Sequence, residues 1–315
     1  MTKLDESQIV RIFQGQLNKK FTPEDVECFN IGKTKIVVKI DTLVQSTDMP
    51  TQMNLTQATR KSIVACISDF AAKGVKPEYG IISVNLPNTR LQTKVAEIAA
   101  SLRETSKEFG IKILGGDTNE GKEFVFHVCI FGKTDRIITR RGSRVGDTIF
   151  VTGSFGYTAA GLKILFYNIK GGKRFTRKAV NSVLNPKPRL AFGIRCKKYF
   201  SSSMDSSDGL STTLNEMAEQ SKHKFIIEKI PANVDLYTFA EKNKIKPHNL
   251  VFNGGEEYEF IFTVPKKYVK TVKRCASKLN TPIIEIGHVT IGKGVFIKND
   301  NKTTKLKDLG WRHFK

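Results

Sequence analysis

The first half of the chain alternates short apolar runs with longer stretches whose apolar residues recur every three or four positions. The clearest long stretch covers Thr56 to Lys73, where Ile63, Ile67 and Phe70 fall on one side at helical spacing and Gly74 supplies a stop. Short apolar runs between such stretches indicate strands. The pattern predicts helices over residues 6–15, 56–73 and 91–109. It predicts a loop running into a strand over 23–29, and strands over 35–41, 80–86, 111–114 and 123–131.

The second half repeats this mixture of elements without repeating the sequence. Residues 136–147 are short of apolar positions and rich in charge, so we place a domain boundary there and expect domains over 1–140 and 141–315. Alternating elements in both halves favour an α/β (α+β mixed) fold. The pattern predicts strands over 148–151, 225–227, 259–264 and 282–286, helices over 157–165, 190–199 and 268–279 and after Gly209, and an exposed Gly/Lys/Arg loop over 170–178.

One stretch, residues 113–118, combines an apolar run with two glycines, a carboxylate and a hydroxyl in the order Ile-Leu-Gly-Gly-Asp-Thr. Glycines at such a place allow a close approach to the backbone, so we expect the strand to end there. Similar pairings of glycine with acids recur around Asp205 and Asp208 and at Glu256. Acids that served only solubility would fall on polar helix faces instead.

Charge changes the picture because the chain has 52 Lys and Arg against 30 Asp and Glu, a formal net charge of +22. Such an excess attracts polyanions, including nucleic acid, anionic membranes and phosphorylated metabolites. A lysine-rich solvated surface explains the same numbers. We find no recognition motif and no interleaving of basic with aromatic residues, so nucleic acid is not an expected partner.

The remaining composition excludes several classes. The five cysteines are odd in number and contain no CxxC pair, which favours reduced thiols over a disulfide framework or a zinc site. The five histidines lack metal-ligand spacing. No apolar run approaches the roughly 20 residues of a membrane span, and the N-terminus lacks an apolar signal region. We therefore expect a soluble cytoplasmic protein.

Two glycine-rich turns imitate nucleotide-binding motifs and fail on their spacing. The turn at residues 153–156 follows a strand and precedes a helix, but it lacks the full GxGxxG pattern and the later acid. Residues 32–34 resemble the end of a P-loop, but Glu27 stands where its first glycine belongs. Neither turn supports a nucleotide site by itself.

The acids beside Gly, Ser or Thr offer a different way to bind phosphates. Carboxylates that converge repel one another, so they need a compensating cation. Magnesium is the plausible ion because it prefers oxygen ligands and bridges phosphates. A single acid at a strand end is more often a turn former, so the hypothesis depends on the whole set. The set comprises Asp25, Asp41, Asp69, Asp117, Asp205, Asp208 and Glu256.

Asp69 needs a cation for a further reason. It lies in the last turn of the predicted helix 56–73, where the helix dipole disfavours a negative charge. Lys73, four residues later, is one candidate partner, and a metal ion is the other.

With these motifs in order, the chain resembles the thiamine-monophosphate kinase family, in the superfamily that also contains aminoimidazole ribonucleotide synthetase. The resemblance covers nearly the whole chain, and its strength comes from the order and spacing of the blocks together. The blocks are Pro23-Glu24-Asp25, Ile40-Asp41-Thr42-Leu43-Val44, Ser68-Asp69-Phe70-Ala71-Ala72-Lys73-Gly74, Leu114-Gly115-Gly116-Asp117-Thr118, Thr139-Arg140-Arg141-Gly142, Asp205-Ser206-Ser207-Asp208-Gly209, Gly254-Gly255-Glu256-Glu257-Tyr258 and Gly310-Trp311.

The resemblance implies a Mg²⁺-dependent transfer of the ATP γ-phosphoryl group to thiamine monophosphate. It also implies a two-domain synthetase-like architecture, with an N-terminal sheet domain that forms a homodimer and a C-terminal α/β sandwich domain. By motif position, it assigns Asp25, Asp41, Asp69, Asp117, Asp205 and Asp208 to metal binding, with Asp208 and Arg140 in catalytic positions. It assigns Gly116, Asp117, Arg140 and Ser207 to ATP, and Glu256 and Trp311 to the thiamine moiety.

Four positions depart from the family pattern. Glu24 stands before Asp25 where an Asp is usual, and Lys39 lies two residues before Asp41 where Ser is usual. Asp48 occupies the place of a substrate-contacting His, and Cys66 that of an Asn. Two alternatives follow from Lys39: one metal site is altered, or Lys39 replaces part of its charge. The four changes question the identity of the acceptor more than the use of ATP. A related ATP-using reaction on another acceptor, and a catalytically weakened paralogue, therefore stay open.

Overall fold

The computed structural model describes residues 4–17, 22–88, 92–299 and 302–312 and contains two β-sheets. The first sheet has five strands in the order β1-β2-β5-β3-β4, antiparallel except for the β3–β4 pair. Its strands are β1 (Glu27–Ile31), β2 (Thr34–Val44), β3 (Lys76–Pro87), β4 (Lys112–Gly121) and β5 (Val125–Thr134).

The helices of the first half are α1 (Glu6–Leu17), α2 (Gln45–Asp48), α3 (Leu55–Lys73) and α4 (Gln92–Phe109). Helix α3 begins with a capping box in which Asn54 and Gln57 exchange hydrogen bonds, and it ends at the left-handed Gly74. It covers one face of the first sheet and is buried along most of its length. The opposite face of the sheet carries exposed apolar side chains.

The second sheet has seven strands in the order β12-β11-β8-β10-β6-β9-β7, in which β8 and β11 are parallel and the other pairs antiparallel. Its strands are β6 (Thr148–Thr152), β7 (Ser202–Asp205), β8 (Lys224–Ile227), β9 (Phe260–Val264), β10 (Ile283–Thr290), β11 (Gly294–Asn299) and β12 (Lys302–Lys305). The helices of this half are α5 (Tyr157–Tyr167), α6 (Lys173–Leu184), α7 (Leu190–Cys196), α8 (Leu210–Ser221), α9 (Val234–Lys242), α10 (Pro247–Asn253) and α11 (Val269–Lys278).

Both faces of the second sheet are buried. Ile149 and Val151 of β6 face one core, whereas Phe150 between them faces the other, as the two-residue period of a strand requires. The second core also contains Ala71 of α3, so this helix lies between the two halves. Gly193 of α7 allows the close contact, because a Cβ atom there would lie 1.9 Å from the Ala71 carbonyl oxygen.

The mixed α/β fold predicted from the sequence is confirmed, and most predicted elements lie within a few residues of their positions. Residue 91 and the segment 18–21 fall outside the described residues. No helix among the described residues is long and apolar enough to cross a membrane. The predicted boundary between residues 140 and 141 stays a prediction.

Two predictions about elements were wrong. Strand β4 does not stop at Gly115 and Gly116 but continues to Gly121. The reason is that the strand lies so close to β3 that a Cβ atom at position 116 would stand 1.7 Å from the Ile82 carbonyl oxygen. The predicted loop 170–178 becomes helix α6 from Lys173, since Phe175, Ala179 and Val183 recur every four residues as its buried face. Helices α2, α9 and α10 and strands β7, β11 and β12 were missed.

Candidate active site

Asp25 lies at the centre of a network between the two halves. Its Oδ1 atom accepts hydrogen bonds from Arg140 Nε at 2.9 Å and Nη2 at 2.6 Å. Its Oδ2 atom lies 3.0 Å from Lys73 Nζ and accepts a hydrogen bond from the Asp205 amide. Burial acts to raise the pKa of Asp25, but the two cations outweigh it and lower the pKa to about 2.

Glu24 completes this first group. Its Oε2 atom lies 2.8 Å from Lys73 Nζ, and its Oε1 atom accepts a hydrogen bond from the Arg140 amide. The fully buried Lys73 also donates to the Ser203 carbonyl oxygen of β7. Two carboxylates and two cations thus balance one another, and we call Glu24, Asp25, Lys73 and Arg140 the balanced group.

Asp69 finds its cation on the neighbouring strand. Lys39 Nζ of β2 lies 2.8 Å from Asp69 Oδ2 and 4.0 Å from Asp41 Oδ2. The interpretation that Lys73 serves Asp69 is wrong, because Lys73 turns to the balanced group. Burial raises the pKa of Asp69 to about 7; Lys39 opposes this, while Asp25 and Asp41 add to it. Burial acts to lower the pKa of Lys39, but the charges of Asp69 and then Asp41 outweigh it and raise the pKa.

Asp205 at the end of β7 lies close to Asp69, because it is hydrogen-bonded to the residue before Asp69 in α3. Ser68, one residue before Asp69 in α3, donates its hydroxyl hydrogen bond to Asp205 Oδ1. Burial, followed by the charge of Asp69, raises the pKa of Asp205. Asp41, Asp69 and Asp205 thus lie together with Lys39 as their nearby cation, and we call these four residues the acidic group.

Asp117 and Gly116 lie apart from these acids. Asp117 on the edge strand β4 pairs with Ser83, which pairs with His127, which in turn pairs with Thr42 of β2. Three strand spacings separate it from the strand of Asp41, a distance of roughly 14 Å. A single chain does not place Asp117 in one pocket with the other predicted ligands. Nor do these acids share strand ends, since Asp41 lies inside β2 and Asp69 in a helix.

Three loops meet beside the acidic group. The Ser207 carbonyl oxygen accepts a hydrogen bond from the Glu256 amide, and the Asp208 carbonyl oxygen accepts one from the Trp311 amide. Glycines permit both contacts: a Cβ atom at Gly255 would lie 2.7 Å from the Ser207 oxygen. The predicted nucleotide loop 205–209 and the predicted substrate residues Glu256 and Trp311 therefore share one surface. The Trp311 side chain is 61% exposed.

Lys61 was missed by the sequence analysis. It is buried in α3, donates to the Asp48 carbonyl oxygen at 3.0 Å and lies 2.6 Å from Glu256 Oε1. The Asp48 carboxylate accepts a hydrogen bond from the Val44 amide. The sequence offered one signal for Lys61, namely a lysine within a helix that is buried on all sides. Lysines are seldom fully buried without a partner, so this position indicates an ion pair.

The donor chemistry of the acidic group fits Mg²⁺, which prefers carboxylate oxygens. In the present arrangement, however, no group of three or more His, Cys, Asp or Glu side chains within the described ranges is placed to hold a metal ion. Lys39 Nζ already stands beside both Asp41 and Asp69. The donor atoms of the acidic group therefore fit Mg²⁺ by their chemistry, with Lys39 as their present partner.

Comparison with known proteins assigns both halves to one family. The AIR synthase related protein N-terminal domain matches residues 23–134, and the C-terminal domain matches residues 144–299. The chain is 58% identical to a thiamine-monophosphate kinase of Nitrosopumilus maritimus (strain SCM1), over 100% of both chains. It is 31% identical to the thiamine-monophosphate kinase of Pyrococcus horikoshii, over 100% of this chain and 98% of that protein.

A solved structure supports the same relationship in three dimensions. AaThiL complexed with AMPPCP and TMP superposes with a TM-score of 0.88 at 27% identity, over 100% of this chain and 99% of that chain. Both domains, the full-length relatives and the structural match agree. The chain belongs to the AIR synthase related proteins and, within them, to the thiamine-monophosphate kinase family.

Proposed function

We propose that this chain transfers the γ-phosphoryl group of ATP to thiamine monophosphate, producing thiamine diphosphate and ADP. The observation that carries the proposal is the full-length match to AaThiL, which was solved with AMPPCP and TMP. The relative that is 58% identical carries the name of the same kinase. Because ATP is the co-substrate, we infer that the enzyme acts in the cytoplasm.

The chemistry needs positioning and charge neutralisation more than an acid or a base. A terminal phosphate oxygen of thiamine monophosphate attacks the γ-phosphorus, and a P–O bond forms as the bond from the γ-phosphorus to the β–γ bridging oxygen breaks. ADP leaves with that electron pair. The attacking oxygen is already ionised, so the chain need not supply a general base. Its task is to hold two polyanions in line.

The acidic group supplies the oxygens for Mg²⁺. We infer that Asp41, Asp69 and Asp205 would hold the ion, which would neutralise phosphate charge during transfer. Asp25 plays a different part, because both of its oxygens are engaged by Arg140, Lys73 and the Asp205 amide. It fixes Arg140 and the end of β7 beside the acidic group.

The loop surface beside the acidic group receives the two substrates. We infer that Ser207 and Arg140 contact ATP, and that Asp208 lies near the acceptor phosphate. The predicted ATP contact Gly116 lies apart from this surface in a single chain, on the edge strand β4. Glu256 and the exposed ring of Trp311 are placed to contact the cationic thiamine moiety, Trp311 by stacking. Asp48 is better described as a support for this surface, since its carboxylate binds the Val44 amide.

The outward face of the first sheet supports a homodimer. Ile81, Cys129 and Ile40 form one row across three strands, and Tyr79 begins the next. Ile40 is 64% exposed, and Leu114 on the edge strand is 57% exposed. A contiguous apolar face of this kind marks a protein interface. We infer that two copies meet on this face, which brings Asp117 of each copy to the junction.

Light scattering during size exclusion tests the dimer. The wild-type chain should elute with twice its chain mass, and Ile40→Asp should elute with the mass of one chain. Ile291→Asp is the matched control, since Ile291 is an exposed isoleucine outside the sheets. A wild-type protein that stays monomeric at micromolar concentration would contradict this part of the proposal.

The activity is tested by measuring thiamine diphosphate and ADP with purified chain, ATP, MgCl₂ and thiamine monophosphate. Asp69→Asn should abolish most turnover, whereas Asp135→Asn should not, because Asp135 is exposed and remote from the acidic group. An acceptor screen at fixed ATP separates the related alternative. ADP release with another phosphorylated acceptor and none with thiamine monophosphate would replace the proposed substrate.

A further inference from the structure

Lys39 holds an unusual position inside the acidic group. It and Asp41 are two residues apart on β2, so both side chains leave the same face of the strand, the face covered by α3. Lys39 Nζ lies 2.8 Å from Asp69 Oδ2 and 4.0 Å from Asp41 Oδ2. An ammonium group thus stands between two carboxylates that come from different elements.

The neighbouring cations do not share this position. Lys73 and Arg140 are engaged by Glu24 and Asp25, and Arg140 also lies 3.9 Å from Glu216 Oε2. Lys39 in contrast makes its two ion pairs with Asp69 and Asp41, the acids expected to bind metal. Three carboxylates and one ammonium give the fully ionised acidic group a formal charge of −2, which one divalent cation balances.

We propose that the Lys39 ammonium replaces a divalent cation between Asp41 and Asp69, so that the acidic group binds one fewer ion than its carboxylates would otherwise hold. The inference rests on the proposed use of Mg²⁺. Lys39 acts as a positioning residue: it holds the two carboxylates together before nucleotide arrives, and the remaining formal charge of the acidic group is that of a single divalent ion. The number of divalent ions bound by the acidic group is then set by its side chains, before any nucleotide binds.

Counting metal ions on the nucleotide-free protein tests this without any turnover. The full chain is stripped with EDTA and titrated with Mn²⁺, and free Mn²⁺ is followed by electron paramagnetic resonance. Lys39→Ser should bind one Mn²⁺ more per chain than wild type. Its first Mn²⁺ should bind at least roughly tenfold more tightly, because a unit positive charge about 4 Å away has been removed. Lys35→Ser, on the same face of β2, should match wild type.

The thermal midpoint gives a second readout. Without metal, Lys39→Ser should melt below wild type, since Asp41 and Asp69 lose their shared cation, and Mn²⁺ should raise its midpoint more than that of wild type. If the variant folds only with metal, it is purified in Mn²⁺ and its retained metal is counted. Equal metal content and equal affinity in wild type and Lys39→Ser would overturn the inference. Loss of kinase activity with an unchanged ion count would concern the proposed function alone.

Discussion

Asp25 and Asp69 are both buried aspartates between the two halves of the chain, yet the pKa of Asp25 is about 2 and that of Asp69 is about 7. Burial acts to raise both values. The difference lies in the cations: Asp25 contacts Lys73 and Arg140, whereas Asp69 shares Lys39 with Asp41 and also faces the charge of Asp25. The number of cations per carboxylate therefore separates the two groups.

The difference also separates two tasks. The balanced group is complete in the protein alone and ties residues 24–25 to α3 and to the segment around Arg140. The acidic group keeps an excess of negative charge that a bound cation would relieve. We expect substitutions in the first group to lower stability, with Arg140 also contributing to ATP binding, and those in the second to lower activity.

The largest effect is expected for Lys73→Met, which removes one cation from the balanced group. The fully buried Lys73 serves Glu24, Asp25 and the Ser203 carbonyl oxygen, so its loss leaves buried charges uncompensated. We expect the free energy of unfolding in urea to fall by about 3–5 kcal/mol. Lys270→Met, an exposed change on α11, should stay within about 0.5 kcal/mol of wild type. A Lys73→Met protein as stable as this control would show that the group is not structural.

The next prediction compares Asp205→Asn with Asp25→Asn. Asp205→Asn should lower kcat roughly 10²–10³-fold, the range found when one charge-stabilising group is removed from an active site. Its stability should not fall, because the substitution removes repulsion with Asp69. Asp25→Asn should instead destabilise the chain, because Asp25 accepts its hydrogen bonds from cations. Equal losses of stability in the two variants would remove the distinction between the groups.

Glu257 extends the comparison to a partly buried carboxyl for which the described residues show no cation partner. Burial raises its pKa from 4.5 to about 8, partly opposed by hydrogen bonds from the Gly156 amide and Thr158 Oγ1. The folded chain thus keeps a proton that the unfolded chain releases above pH 4.5. The resulting stabilisation is complete below that pH and is lost as pH rises through about 8.

Glu257→Gln cannot ionise at this position, so its stability should not fall in this way as pH rises. From pH 5 to pH 8, the stability of wild type relative to Glu257→Gln should fall by about 3 kcal/mol, measured by urea unfolding at each pH. Glu285→Gln is the control, because Glu285 is half exposed and paired with Lys273. Parallel profiles for wild type and Glu257→Gln would refute a protonated Glu257.

The sequence predicted the mixed fold because apolar spacing is a local property, and α3 followed its pattern from Leu55 to Gly74. The motifs also predicted one metal site for six acids, of which a single chain brings Asp41, Asp69 and Asp205 together but leaves Asp117 apart. The partners could not be predicted. Lys73 lies four residues after Asp69 and is its natural helical neighbour, but tertiary packing places Lys39 there instead. The departure at Lys39 had flagged a cation beside Asp41, but nothing in the sequence spacing paired it with Asp69.

The glycines at positions 115 and 116 were misread for a related reason. Glycine marks either a strand end or a close backbone approach, and only the pairing of β4 with β3 decides between them. Lys61 was missed because its partners, Asp48 and Glu256, lie 13 and 195 residues away. Contacts of such separation are set by the fold, whereas helices and strands are set by neighbours.

The smallest effect is expected for Lys61→Met, outside both groups. Lys61 holds the Glu256 carboxylate at 2.6 Å and the Asp48 carbonyl at 3.0 Å, and thereby joins α3 to the surface proposed to bind the acceptor. We expect KM for thiamine monophosphate to rise about tenfold, equivalent to about 1.4 kcal/mol, while KM for ATP and kcat change little. Lys61→Arg should recover part of the affinity because it keeps the charge. If KM for ATP rose instead, Lys61 would belong with the acidic group. The charged residues of α3 could then not be divided into those that stabilise the fold and those that bind the acceptor.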